Sequence, residues 1–353
     1  MGACTQGNGK LTNIPFAPEK VVLPEPVNFV KMQIPADNPL TKDGIALGKR
    51  LFFDSLLSIN HQLACVSCHQ PNLAFTDGKA LSIGTHGHAS HRSAPSLINV
   101  GYYYKGLFWD GRAPTLEAQA LIPVTDSLEM GSNWDTVEHR LRLHHEYPTL
   151  FRKVFGIKSD QEINRFLVAK ALAQYERTLV NYNAKFDKVA RGEAAFTAQE
   201  QRGRDIFFDA GQAKGIPFSE CSHCHADPLF TTLDYFNNGI EKVNSLADFP
   251  DLGRGAITGL PSDRGKFKTP TLRNITLTAP YMHDGRFATL EEVLDHYISG
   301  GHFADNLNPN VRKLKLTDRD KRDLIAFLQT LTDSSFVNTQ AIPTFDNTGL
   351  NSN

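Results

Sequence analysis

Two pentapeptides carry the most demanding chemistry in this sequence: Cys65-Val66-Ser67-Cys68-His69 and Cys221-Ser222-His223-Cys224-His225. Two thiols about one helical turn apart can add to the two vinyl groups of a haem, and the adjacent histidine then meets the iron from the same side. Four cysteines on one zinc is the competing reading, but the pairs stand too far apart in the chain for a zinc ribbon. The sequence therefore predicts two covalently bound haem c groups. Cys65, Cys68, Cys221 and Cys224 are the attachment points, and His69 and His225 are the iron ligands.

The segments around the two motifs repeat. Gly48-Lys-Arg-Leu-Phe-Phe-Asp54 precedes the first and Gly203-Arg-Asp-Ile-Phe-Phe-Asp209 the second. Ala94-Pro-Ser-Leu97 matches Thr269-Pro-Thr-Leu272, Trp109-Asp-Gly-Arg112 matches His283-Asp-Gly-Arg286, and Thr115-Leu-Glu117 matches Thr289-Leu-Glu291. A repeat of this kind predicts two tandem cytochrome c-type haem domains, 41–190 and 191–340, with an N-terminal arm over 1–40 and a tail over 341–353. Apolar residues at helical spacing run from Ile163 to Leu179 and from Leu316 to Leu331. Thr289 and Glu292 form a capping box, and Gly300-Gly301 closes the helix that it opens. No run of alternating strands is present, and loops such as 237–266 are rich in Gly, Pro and Asn, so the expected class is all-α with long loops.

The copies differ where chemistry would. Thirteen residues after Asp284 stands Tyr297, whereas thirteen after Asp110 stands Pro123. Tyrosine can ligate iron through its phenolate and proline cannot. One iron would then be closed by the protein and the other left open to a small molecule. The alternative for Tyr297 is a buried phenol hydrogen-bonded near a haem propionate.

The remaining composition sets bounds. The chain has 353 residues, with 41% hydrophobic and 21% charged residues, which is ordinary for a globular protein. A net charge of -1 gives no overall pull toward nucleic acid or anionic membrane, and no apolar run is long enough to span a bilayer. Covalent haem attachment implies assembly outside the cytoplasm, so a periplasmic location is expected, with any leader already removed. Gly2-Ala3-Cys4 looks like the end of a bacterial lipoprotein cleavage site, which would put a lipid anchor on Cys4; the plainer reading is a stray terminal cysteine.

Over roughly residues 40–335 the chain resembles the bacterial di-haem cytochrome c peroxidase family, and especially its MauG-like branch. The resemblance rests on both haem motifs, on Phe108-Trp-Asp-Gly-Arg-Ala113, on Leu272-Arg-Asn274 and on Ala279-Pro-Tyr-Met-His-Asp-Gly285. It implies a peroxide-reactive first haem, a six-coordinate second haem and a tryptophan between them. Residue by residue, Trp109 falls on the inter-haem tryptophan, Gln119 on the distal glutamine, Glu129 on the catalytic glutamate and Pro123 on the distal-pocket proline. Tyr297 falls on the sixth ligand of the second haem, where peroxidases of the family carry methionine. Resemblance also implies a calcium ion on the carbonyls of Thr278 and Pro280, with Ser93 where an asparagine often stands. His86 falls one residue from a histidine that ligates the first iron at rest in many family members.

The expected function is that of a di-haem peroxidase that uses hydrogen peroxide to reach a high-valent state shared by both haems. That state would oxidise a periplasmic protein substrate, at tryptophan. One alternative is peroxide detoxification with electrons from a small cytochrome or copper protein. Another is a plain electron-transfer cytochrome, which would need neither Glu129 nor Gln119.

Overall fold

A computed structural model describes residues 11–339. Cys4, the candidate lipid site, and the tail over 341–353 lie outside the described residues. The described chain is mostly helical. Its helices are α1 (Lys42–Phe53), α2 (Cys65–Cys68), α3 (Leu116–Ala120), α4 (Ile122–Thr125), α5 (Trp134–Leu143), α6 (Tyr147–Phe155), α7 (Arg165–Glu176), α8 (Lys185–Ala190), α9 (Ala198–Phe207), α10 (Gly255–Thr258), α11 (Leu290–Ser299), α12 (Asp318–Gln329) and α13 (Ser334–Thr339). Two short strands, β1 (Tyr235–Phe236) and β2 (Phe267–Lys268), pair antiparallel within the long loops. No described helix is long and apolar enough to cross a membrane.

Local signals explain the helix ends. Asn164 accepts hydrogen bonds from the N–H groups of Phe166 and Leu167, so α7 opens later than the apolar spacing alone indicates. Thr317 and Asp320 cap α12 reciprocally, and Thr289 with Glu292 does the same for α11, which ends at Gly300 in the left-handed region.

Two helix crossings build two apolar cores. Gly48 of α1 lies against α7 so closely that a Cβ would sit 1.9 Å from the Ala171 carbonyl oxygen. Gly203 of α9 lies against α12 in the same way, 1.9 Å from the Asp323 carbonyl oxygen. Leu51 and Phe52 fill one core, and Ile206 and Phe207 the other. Other local geometry also recurs at paired positions. Asn99 and Asn274 are both left-handed, at φ 59° and 56°, and antiparallel bridges join Leu107 to Ala113 and Tyr281 to Phe287.

One detail departs from the expected boundaries. Phe336 of α13 packs into the first core with its ring 6.2 Å from that of Phe75, although the sequence division assigns it to the second half. Phe336 is buried there, 8% exposed, because removing its ring from water is favourable whichever core takes it.

Candidate functional site

A cavity of about 990 Å³ opens between the two halves. Cys65, Cys68 and His69 line it, as do Trp109, Gln119, Pro123 and Glu129. The structure thus brings every residue predicted for the first haem site to one space. Cys65 and Cys68 are free thiols at either end of α2, and burial pushes Cys68 up to about 11. The Nδ1 of His69 lies 2.9 Å from the Phe75 carbonyl oxygen. A carbonyl only accepts, so Nδ1 carries the proton and Nε2 keeps its lone pair. Burial also lowers the imidazole pKa, which favours the neutral ring that a metal needs. Two unpaired thiols, a neutral imidazole with one free nitrogen and a cavity of this size fit haem c.

Gln119, in α3, and Pro123, in the first turn of α4, stand close before Glu129. Burial raises the Glu129 carboxyl to about 7; Asp126 adds to the rise and Arg112 opposes it. Its backbone is pinned, since the N–H groups of Glu129 and Gly131 both donate to the Asp126 carbonyl, at 3.0 and 2.8 Å. The Glu129 carbonyl in turn accepts the Thr85 N–H at 2.8 Å. Gly84 lies under this segment, where a Cβ would meet the Leu128 carbonyl oxygen at 2.2 Å. His86 rests beside Gly131, outside the cavity lining, whereas His91 and Arg92 are part of it.

The second motif repeats the histidine geometry. His225 Nδ1 lies 3.1 Å from the Phe230 carbonyl oxygen, and burial lowers the ring to about 4. Tyr297, on α11, comes within electrostatic reach of Cys224 and Cys221. Burial pushes its phenol up to about 12, partly offset by a hydrogen bond from Asn238 Nδ2 at 3.4 Å. The phenol therefore keeps its proton until a positive charge meets the oxygen. Asn238 Nδ2 also lies 3.4 Å from Met282 Sδ, and the Asn238 carbonyl oxygen lies 2.9 Å from His296 Nε2. Met282 and His296 are thus held as neighbours of Tyr297 through one asparagine.

Trp109 occupies the seam between the halves. Its indole N–H donates to the Ser93 carbonyl at 2.9 Å, and its own carbonyl accepts the Lys268 N–H at 2.7 Å. Ser93 N–H donates to the His283 carbonyl, also at 2.7 Å, which is the equivalent bond in the other direction. Ser93 Oγ donates to the Met282 carbonyl at 3.0 Å. Thr278 and Pro280 line the same cavity, and their carbonyls accept no hydrogen bond among the described residues.

Sequence reasoning passed over three residues here. Asn238 sits in a loop with no motif of its own. Lys268 is buried, lies over the Tyr103 ring at 4.6 Å, and is lowered by burial to about 7. Glu176 is hidden inside an apolar helical pattern, and its sharp departure from apolar character is the one sequence signal it carries.

Comparisons with known proteins agree with this geometry. The sequence model described as di-haem cytochrome c peroxidase matches residues 42–195. The methylamine utilization protein MauG of Methylorubrum extorquens is 40% identical over 300 residues, covering 84% of this chain and 80% of the relative. Cytochrome-c peroxidase IdrP1 of Denitromonas iodatirespirans is 35% identical, covering 93% and 90%. Among solved structures, a MauG-like protein associated with microbial copper homeostasis superposes with a TM-score of 0.80 at 35% identity, covering 89% of this chain and 96% of that one.

Proposed function

This chain belongs to the di-haem cytochrome c peroxidase family and is an oxidoreductase acting with hydrogen peroxide, and from that premise we propose that it oxidises tryptophan on a periplasmic protein substrate. Two tandem haem domains divide the work, the first taking peroxide and the second storing charge. The observation that carries this reading is Tyr297, within electrostatic reach of Cys221 and Cys224, where a cytochrome-oxidising peroxidase of the family would place methionine. A phenolate is a hard anionic donor that favours oxidised iron, whereas a thioether favours reduced iron.

Haem c, when attached through Cys65 with Cys68 and Cys221 with Cys224, supplies the irons at which peroxide is cleaved and oxidising charge is held. The protein's own groups handle the protons. Glu129 takes the proton from the near oxygen of peroxide and returns it to the far oxygen, which leaves as water. A carboxyl poised at about 7 is matched to both transfers at neutral pH. Gln119 orients the peroxide, and Pro123 offers the cavity no group that competes for the open side of the first site. His69 and His225 hold their sites from the attachment side, with Nδ1 fixed by the Phe75 and Phe230 carbonyls. Trp109 joins the two sites across the seam. The free carbonyls of Thr278 and Pro280 are neutral oxygen donors of the kind calcium takes, and we assign that ion to them.

The holoprotein with peroxide should modify tryptophan in an added periplasmic protein extract, read by mass spectrometry, and should oxidise reduced cytochrome c more slowly than Tyr297→Met does. Rapid oxidation of cytochrome c by the parental protein, with no tryptophan modified, would assign it the detoxifying role instead. Trp109→Phe should keep haem content and peroxide consumption while tryptophan modification falls; modification at the parental rate would remove Trp109 from the path.

A further inference from the structure

One buried acid of the first cavity has no part in the chemistry above. Glu176 ends α7, is 6% exposed and lines the cavity. Its Oε2 is buried with no hydrogen-bond partner among the described residues. An ionised carboxylate in that state is strongly disfavoured, so the group holds a proton. Burial raises it to about 8, against the pull of Arg177 and with a push from Glu117.

The helix crossings show what this acid replaces. A Cβ added to Gly48 would meet the Ala171 carbonyl and Tyr175 Cβ, and one added to Gly203 would meet the Asp323 carbonyl and Phe327 Cβ. That register pairs Tyr175 with Phe327 and Glu176 with Leu328. Leu328 is an ordinary member of the second core, also 6% exposed. A leucine would fill the first cavity wall at less cost than an unpartnered acid, so packing alone does not account for Glu176. Glu176 and Glu129 both line this cavity, and both lie within electrostatic reach of the Cys65 thiol, Glu176 the more strongly.

We propose that Glu176 is a proton-relay residue of the first cavity, passing its Oε2 proton through cavity water to the Glu129 carboxylate and taking another from solvent. The inference rests on the role given to Glu129 above. Reduction of one hydrogen peroxide to two waters breaks the O–O bond and takes up two electrons and two protons. The electrons come from the oxidised protein partner or another one-electron donor. Glu129 only moves a proton that peroxide already carries, so the two further protons must enter from outside, one at a time. Glu176 acts through Glu129 and is a positioning residue in that sense. The titratable groups around it are Tyr175 of its own helix, Arg177 at the cap that follows it, Glu117 from α3 and Cys65 from α2. From α1, Gly48 and the Phe52 ring pack against the neighbouring Tyr175.

Infrared spectra of the ferric holoprotein should show a protonated-carboxyl band that titrates near pH 8, is lost in Glu176→Gln and persists in Glu129→Gln. Glu176→Leu, which installs the residue of the second half, should keep the haem content and unfolding midpoint. With ferrocyanide as a donor of electrons but not protons, steady-state peroxide reduction in both Glu176 variants should fall by about a hundredfold. The fall should exceed any seen in the first turnover, and the decline in rate above about pH 8 should vanish. A carboxyl band untouched by Glu176→Gln, or a parental steady-state rate and pH profile in Glu176→Leu, overturns the relay. Failure of the Glu129 assignment would be seen elsewhere, as a parental first-turnover rate in Glu129→Gln.

Discussion

Glu129 acts as a base, so its proton must be gone before peroxide arrives. With its carboxyl raised to about 7 by burial, the bimolecular rate with peroxide should climb as pH rises through 7 and then level. Glu129→Gln should flatten that profile and slow cleavage by about 10²–10⁴, which stopped-flow spectra across pH will measure. The sign for stability is the opposite. A carboxyl raised on folding is released first by the unfolded chain, so its contribution favours the fold at low pH and is lost as pH rises toward 7. Asn238 is the second test at this scale. Asn238→Leu removes a donor that eases the Tyr297 phenol downward, so the second site should bind its sixth ligand less completely. Electron paramagnetic resonance of the ferric protein should then show a growing high-spin fraction at the second haem, and an unchanged low-spin signal would deny Asn238 that role. The attachment motifs were readable in the sequence because covalent chemistry fixes their spacing. Asn238 was not, because its partners Met282 and Tyr297 lie 44 and 59 residues away and only the folded loop joins them.

At the scale of elements, the crossings of α1 with α7 and of α9 with α12 set where the motifs stand. Both depend on a glycine that admits a neighbouring carbonyl. Gly48→Ala or Gly203→Ala would push a methyl to 1.9 Å from backbone oxygen, and each should destabilise the holoprotein by about 1–3 kcal/mol, the usual range for an overpacked core. Thermal melts of the two variants will show it, and an unshifted midpoint would mean that the helices slide freely. The repeated Gly-x-x-Leu/Ile-Phe-Phe blocks made these helices legible before any contact was known. The register across each crossing was not legible, because helical periodicity gives the buried face of one helix and says nothing of its height against another. That missing register kept Glu176 and Leu328 from being compared. Helix ends also departed from the periodicity, since a cap such as Asn164 stops an apolar pattern by hydrogen bonding.

Across the whole molecule, ion pairs and backbone bonds tie the halves into one body around the cavity. Arg92 bonds Asp251 through Nε and one terminal nitrogen, at 2.7 and 2.8 Å, and bonds Asp110 through the other at 2.6 Å. Its side chain is 16% exposed and that of Asp110 only 6%. Arg92→Leu should therefore cost about 3 kcal/mol, the lower end for breaking a largely buried pair, because Asp110 retains Arg112. Chemical unfolding of the holoprotein followed at both haems should show the two transitions separating in that variant; a single unshifted transition would show that the seam does not depend on Arg92. The net charge of -1 and the lack of any apolar run long enough to span a bilayer were plain from the sequence. The seam was not, since Arg92 and Asp251 come from segments that carry no shared pattern.

Phe336 has a further consequence, for the order of events in making the protein. It packs into the first core beside Phe75, yet it follows the first attachment motif at a long distance in sequence. A chain emerging from its N-terminus presents Cys65 and Cys68 long before residue 336 exists. Until Phe336 is in place, the first core would stand open beside Cys65 and Cys68. Closing the wall beside that motif would fall to Phe336, which is made only after the motif is complete.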